Sequence, residues 1–362
     1  MADAQAVRRA IAETLRSVIE PTSGRNVVSL GLANQISYCG GIARITYELP
    51  PAGASGEIQA SLRAQTEAAL ARLETVQQVR VDFRVVERRA TDALPGVKHV
   101  VAVGAGKGGV GKSTIAVILA VGLRRRGFKV ALLDGDVYGP SLPKLTGTES
   151  AEPLVDDHGR VIPAEFEGIK ILSMGYLVPK DEAVIWRGPL AQKYVREFLD
   201  RGAWGELDYL IVDLPPGTGD IPLTLAQSVP LTGAVVVCTP QEVALVDAVK
   251  ALRMYQKLGV TALGMVENMS WYVCPHCGRQ EYIFGRGGVR RAAEKLGVPF
   301  LGEIPVNLSI CQFGDAGRPM ANFTQTAPEV AAALEHFVDS VHAEVQRRSR
   351  QRRPLPQLKI HT

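Results

Sequence analysis

The chain has 362 residues, 46% hydrophobic and 22% charged, with five cysteines and a formal net charge of +4. This is enough for about two domains of roughly 150 residues with buried cores, and the odd cysteine number in so long a chain argues against a disulfide scaffold and for the reducing cytoplasm. No apolar run approaches the roughly 18 residues of a membrane span, and the first twenty residues lack the continuous apolar stretch of a secretory signal.

The N-terminal residues read as a small α+β unit. Val7, Ile11, Leu15 and Val18 recur at helical spacing, and Asn26–Leu32 is expected to form a strand. In Ile42–Leu49 the series Ala43, Ile45, Tyr47, Leu49 alternates with Arg44, Thr46 and Glu48, the pattern of a half-buried strand. Ile58, Leu62, Ala69 and Leu73 mark a second helix, and Val79, Val81, Phe83 and Val85 alternate with charged residues in a further strand. The predicted order is α-β-β-α-β. Glu87–Gly96 is polar and then turn-forming, so it reads as a boundary.

From Lys98 the rhythm changes. The runs HVVAV, KVALLD, YLIVDLP, GAVVVCT, ALGMVEN and PFLGEIP are apolar without alternation and are separated by helix-length segments. Strands of a parallel sheet covered on both faces have this appearance, and ligands of such sheets bind at the carboxyl ends of the strands. The predicted fold class is therefore α/β: a doubly wound, mostly parallel P-loop sheet over residues 98–345, behind a small N-terminal α+β domain (1–90) and a linker (91–97). Residues 341–362 hold six basic side chains against Glu344, a +5 segment that accounts for the net charge of the whole chain. We read 346–362 as a solvated, frayed tail, not as a nucleic-acid or membrane surface.

Directly after HVVAVG comes GKGGVGKST, which fits G-x-x-x-x-G-K-[ST] between a strand and a helix. Gly106, Gly108, Gly109 and Gly111, with Lys107, Val110 and Thr114, form a loop whose backbone N–H groups turn toward phosphate oxygens. Lys112 would neutralise the β and γ phosphates of ATP, and Ser113 would offer its hydroxyl to Mg²⁺. Metal retention and water activation both call for carboxylates. LLDGDVYGPS places Asp134 and Asp136 at one strand end, and YLIVDLPPGTGD places Asp213 at another, a Walker B position. A single aspartate there is commonly a turn or cap residue; two beside a phosphate loop count against that reading.

The early lysine, Lys107, resembles the signature of the deviant phosphate loop of SIMIBI ATPases. That resemblance implies a homodimer in which Lys107 reaches the partner's nucleotide, Asp136 orients the attacking water, and Asn268, after ALGMVE, reads the adenine edge. Asp134 is expected to be a strand-end helper.

WYVCPHCG supplies Cys274 and Cys277, a C-x-x-C that can present two thiolates to one metal centre or act as a redox pair. Cys238 lies in a core strand, Cys311 in an amphipathic stretch and Cys39 in the turn YCGG, where cysteines behave as small hydrophobes. His276 reads as an exposed loop residue. A two-fold dimer would bring four thiolates together, a set that suits a [4Fe–4S] cluster or a zinc ion equally well.

With LPGVKHVVAVGAGKGGVGKST, LLDGDVYGPSLPKLTG, YLIVDLPPGTGD, VENMSWYVCPHCG and FGRGGVRRAAEKLGVPFLGEIP, the chain over residues 95 to about 340 resembles the Mrp/ApbC family of iron–sulfur cluster carriers. Residues 1–90 are similar to the small iron–sulfur assembly domain that often precedes this ATPase. That domain often carries a cysteine after its strand, whereas Thr46–Gly56 (TYELPPAGASG) has none, so docking is the expected role here. The resemblance implies an ATP-hydrolysing homodimer that takes a labile [4Fe–4S] cluster from scaffold proteins and passes it to apo-proteins, with no specific nucleic acid and no membrane. Two other readings stand beside it. A partition or division-site ATPase would need neither Cys274 nor Cys277, and a zinc-binding adaptor would use nucleotide only to dimerise.

Overall fold

The computed structural model describes residues 4–21, 26–28, 30, 32–49, 55–73, 75–85, 94, 96–136, 138–152, 154–157, 159–177, 188–274 and 276–351. The chain divides into two compact units, Met1–Arg88 and Arg89–Thr362.

The first unit consists of α1 (Ala4–Thr14), β1 (Ala33–Cys39), β2 (Ile42–Leu49), α2 (Gly56–Leu70) and β3 (Gln78–Val85). The central strand β2 pairs antiparallel with β1 and parallel with β3. Its alternation does what the sequence requires: Ala43, Ile45, Tyr47 and Leu49 are buried with Val7, Ile11, Leu15, Leu62 and Leu70. The Tyr47 hydroxyl shares a 2.7 Å hydrogen bond with Thr66 Oγ1, and burial pushes its pKa up to about 12. Gly40 and Gly41, both at positive φ, make the tight turn between β1 and β2.

Among the described residues of Asn26–Leu32 the expected strand is not formed. Val27 and Leu32 are buried, but the backbone N–H groups of the segment are used locally: Val27 donates to Val18, Leu30 to Asn26 and Leu32 to Val27. Among its described residues only Asn26 makes a bridge, to Ile19, and the strand begins at Ala33. Apolar content drove burial there without a ladder.

The second unit is a three-layer α/β structure. In chain order it runs β4 (Val97–Ala105), α3 (Lys112–Arg125), β5 (Val130–Asp134), α4 (Leu142–Thr146), β6 (Ala164–Phe166), β7 (Ile169–Ser173), α5 (Gly188–Arg201), β8 (Leu207–Asp213), α6 (Asp220–Ser228), β9 (Gly233–Cys238), α7 (Glu242–Lys257), β10 (Ala262–Glu267), α8 (Gly288–Leu296), β11 (Phe300–Glu303), α9 (Leu308–Asp315) and α10 (Pro328–Gln351). Short hairpins at Leu154–Val155/Val161–Ile162 and Tyr272–Val273/Gln280–Glu281 project from this frame. The strands order as β11-β10-β9-β4-β8-β5-β7-β6, all parallel except the edge pair β6–β7. Each face carries its own apolar layer, which is why these strands read as unbroken hydrophobic runs. The carboxyl ends of β4, β5, β8, β9 and β10 therefore lie side by side along one rim.

Helix α10 closes one face through Val330, Leu334, Phe337, Val338, Val341 and Val345. It continues to Gln351, so the segment assigned to a frayed tail from residue 346 begins as helix, with Arg347 paired to Glu344 at 2.6 Å. Residues 352–362 lie outside the described residues, as do 87–93 and 95 of the expected boundary and 50–54 of the cysteine-free segment. Among the described residues no helix is long and apolar enough to cross a membrane.

Candidate functional site

The phosphate loop leaves β4 at Ala105 and enters α3 at Lys112. Two of its glycines are required by contact. A Cβ on Gly106 would collide with the backbone carbonyl carbon of Asp247 in α7, and one on Gly111, at φ +80°, would collide with Asn268 Nδ2. The loop is thus clamped between α7 and the end of β10. The N-terminus of α3 points its free N–H groups and its positive dipole end into the loop, a site suited to an anion.

Around the loop the predicted polar residues converge. Lys112 Nζ donates to Asp213 Oδ1 at 2.6 Å and to Ser113 Oγ at 3.2 Å, and stands 3.5 Å from Asp136 Oδ2. Ser113 Oγ donates to Asp213 Oδ2 at 2.5 Å. Lys112 and Asp213 are both buried, so this charge pair is shielded from solvent screening. Asp213 and Asp134 are register partners on β8 and β5. Burial raises both carboxyls, Asp134 to about 7 with Asp213 adding to the rise, while the Lys112 ammonium works in the opposite direction. Lys107 is half-buried and has no hydrogen bond or ion pair among the described residues; its charge falls near Cys238, with those of Glu267 and Asp247.

Asn268 lies where β10 ends. Its backbone N–H donates to Cys238 O and its side-chain amide to Val110 O, both at 2.8 Å. It therefore buttresses the phosphate loop, a role the sequence alone did not disclose. Glu267 was also missed. This fully buried carboxylate accepts from Ser270 Oγ at 2.6 Å and from the Val289 N–H, at the start of α8, at 3.0 Å. The available signal was a lone acidic residue closing an apolar strand.

The chain passes from Asn268 through Met269, at φ +56°, to Ser270, whose N–H donates to Ile304 O, and Trp271, whose carbonyl accepts from Val306. Three residues later Cys274 opens the C-x-x-C at the tip of the 272–281 hairpin. Cys274 N donates to Arg279 O at 3.0 Å and Gly278 N to Cys274 O at 2.9 Å. This turn aims the N–H groups of Cys277 and His276 at the Cys274 sulfur, and these hydrogen bonds, joined by the Cys277 thiol, lower its pKa. Cys277 is exposed and Cys274 half-exposed. Among the described residues no third histidine, cysteine or carboxylate joins them in a metal-binding group. Cys238, by contrast, is buried, donates to Thr239 O, and is pushed up to about 12 by burial, which keeps it a thiol. Cys311 is exposed on α9.

Comparison with known proteins shows the family. A family model described as NUBPL iron-transfer P-loop NTPase matches residues 96–342, and one described as iron-sulfur cluster assembly protein matches residues 8–83. An iron-sulfur cluster carrier protein of Deinococcus radiodurans is 46% identical over 313 residues, 86% of this chain and 88% of its own length. A solved nucleotide-binding protein from Archaeoglobus fulgidus, in complex with ADP, is 41% identical and superposes with a TM-score of 0.58 over 66% of this chain and 93% of that one. The cell division ATPase MinD of Pyrococcus furiosus, 21% identical, superposes with a TM-score of 0.52 over 68% of this chain and 98% of its own, a likeness of fold. Signature loop, cysteine hairpin and both matched segments agree: the chain belongs to the Mrp/ApbC/NUBPL family of iron–sulfur cluster carrier P-loop NTPases.

Proposed function

We propose that this protein binds and hydrolyses ATP and carries a [4Fe–4S] cluster as cargo, held by Cys274 and Cys277 together with the same pair from a second copy, for transfer from scaffold proteins to apo-proteins. The observation that carries this reading is the cysteine hairpin: two accessible sulfurs, one with a lowered pKa, on a tether that begins at the residue buttressing the phosphate loop. Two thiolates are half of a four-thiolate site, and a two-fold axis supplies the other half. A shared cargo becomes sensitive to any rotation of the interface, and Lys107, lacking an intramolecular partner among the described residues, would sense a nucleotide across it.

At the phosphate loop, the Ser113 hydroxyl and the Asp213 carboxylate meet at one point, hard oxygen donors of the kind Mg²⁺ takes. Ser113 and Asp213 would hold Mg²⁺ there, and the ion would supply positive charge to offset the charge that develops on the phosphates. Lys112 would leave Asp213 for the β and γ phosphates, and Asp136 would orient the attacking water.

Anaerobic reconstitution tests the reading. Wild type should bind about four iron and four sulfide per dimer, and Cys274→Ala/Cys277→Ala should bind none. Transfer to an apo-acceptor should respond to ATP in wild type and not in Lys112→Ala. Stoichiometric zinc in place of iron and sulfide would support the adaptor; cluster transfer indifferent to ATP and to Lys112→Ala would remove the coupling.

A further inference from the structure

Asp134 closes β5 with its side chain fully buried. Oδ1 accepts the Asp136 N–H at 3.2 Å, and Oδ2 accepts the Leu142 N–H at 3.2 Å and the Ser173 hydroxyl at 2.9 Å. Asp136 stands near the start, and Leu142 at the end, of the stretch connecting β5 to α4. One carboxylate therefore grips this connection at both ends. A third tie, Gly135 N to Asp213 O at 2.8 Å, fixes its first residue to β8. Ser173 in turn belongs to β7, so the grip is anchored from the neighbouring strand as well.

We propose that Asp134 is a positioning residue for ATP hydrolysis: by clamping both ends of the β5–α4 connection it sets the place of the Asp136 carboxylate beside Lys112. The inference rests on the hydrolysis reading above. A carboxylate is suited to the task because it can accept at both oxygens. An asparagine of the same shape offers one carbonyl oxygen and an amino group that cannot accept, so one grip must open. The Asp136 carboxylate sits 3.5 Å from Lys112 Nζ, and a misplacement of about 1 Å in a reacting group costs on the order of a hundredfold in rate.

The test is steady-state hydrolysis by the full chain. Asp134→Asn should lower kcat about tenfold or more while the KM for ATP stays within about threefold, because the phosphate loop itself is untouched. Chymotrypsin should cut faster after Tyr138, the exposed tyrosine of this connection. Ser173→Ala removes one donor but leaves both backbone grips, and should stay within about twofold of wild type. The clamp is overturned if Asp134→Asn keeps its kcat, if it loses ATP binding together with kcat, or if Ser173→Ala is equally impaired. Should Asp134→Asn not fold, wild-type amide exchange decides: Asp136 and Leu142 must exchange about tenfold or more slowly than Tyr138, and uniform exchange along the connection overturns the proposal. A wild type that turns over no ATP removes the hydrolysis reading and the clamp together; an active wild type with an unaffected variant removes only the clamp.

Discussion

The side-chain amide of Asn268 donates to the carbonyl oxygen of Val110 across 2.8 Å, which joins the end of β10 to the phosphate loop. Asn268→Ala should cost about 1–2 kcal/mol of loop order, since the buried Val110 carbonyl loses its donor, and weaken ATP binding about five- to thirtyfold. Titration with a fluorescent ATP analogue reads this directly. Because the same residue begins the tether to Cys274, ATP should change the alkylation rate of the hairpin thiols in wild type and leave it unchanged in Asn268→Ala. Equal ATP affinity in the two proteins would mean that the Asn268–Val110 bond does not hold the loop.

Much of this site was legible in the sequence because its logic is local. A phosphate loop between a strand and a helix, aspartates closing apolar runs, and a C-x-x-C are spacing patterns, and the strands that present them are buried on both faces, so each run is unbroken. What stayed hidden depends on contacts between distant segments. The Asn268 amide was expected at the adenine edge, and its bond to Val110 joins residues 158 positions apart. The Asp134 carboxylate also takes the Ser173 hydroxyl from β7, 39 positions further along the chain. The strand expected at Asn26–Leu32 failed because apolar residues can be buried by turns as well as by ladders, and periodicity does not separate the two. The last turns of α10 were lost to the weight of their arginines, although Val338, Val341 and Val345 continue its buried stripe.

A second prediction concerns Gly106. Its missing side chain is what lets the loop touch the backbone of α7, and Asp247 there has no rotamer by which to yield. Gly106→Ala must push loop and helix apart, an overpacking cost of about 1–3 kcal/mol. For a unit of this size that lowers the thermal midpoint by roughly 2–4 °C per kcal/mol, with ATP binding lost more than stability. Gly108→Ala is the control: a Cβ there meets only Pro216 Cγ, at 4.0 Å, and the thermal midpoint should not change. Equal midpoints for the two variants would show that the close approach to Asp247 is not a constraint.

The Cys274 sulfur receives N–H groups from Cys277 and His276, which favour its thiolate. A lowered pKa places ionisation at a lower pH than in an ordinary thiol, so alkylation of Cys274 should reach its plateau below the pH at which a free cysteine in a short unstructured peptide does. Iodoacetamide labelling followed by mass spectrometry, at a series of pH values, reads the Cys274 profile beside that of the peptide. Substituting Gly278, which closes this turn at φ +69°, with valine should strain the turn and move the Cys274 profile back toward that of the peptide. Coincident profiles for wild type and peptide would mean that the turn does not activate the sulfur.

At the end of the strands away from the phosphate loop, two histidines are kept neutral. His99 is held below the ordinary imidazole range by burial and then by His342; His342 is held there by burial and then by Arg126, and its Nδ1 lies 2.7 Å from the Tyr209 hydroxyl. Folded-state values below the ordinary one, about 6.5, mean that the unfolded chain takes up protons first as pH falls. The stability these rings contribute is therefore fully present above about pH 6.5 and is lost progressively on acidification toward their folded-state values. The thermal midpoint should drop between pH 7.5 and 5.5. His99→Gln/His342→Gln should flatten that slope, because neither replacement titrates and the amide oxygen that takes the place of the His342 ring can still accept from Tyr209. If the double variant declines as steeply as wild type over this interval, the two rings do not carry the pH dependence.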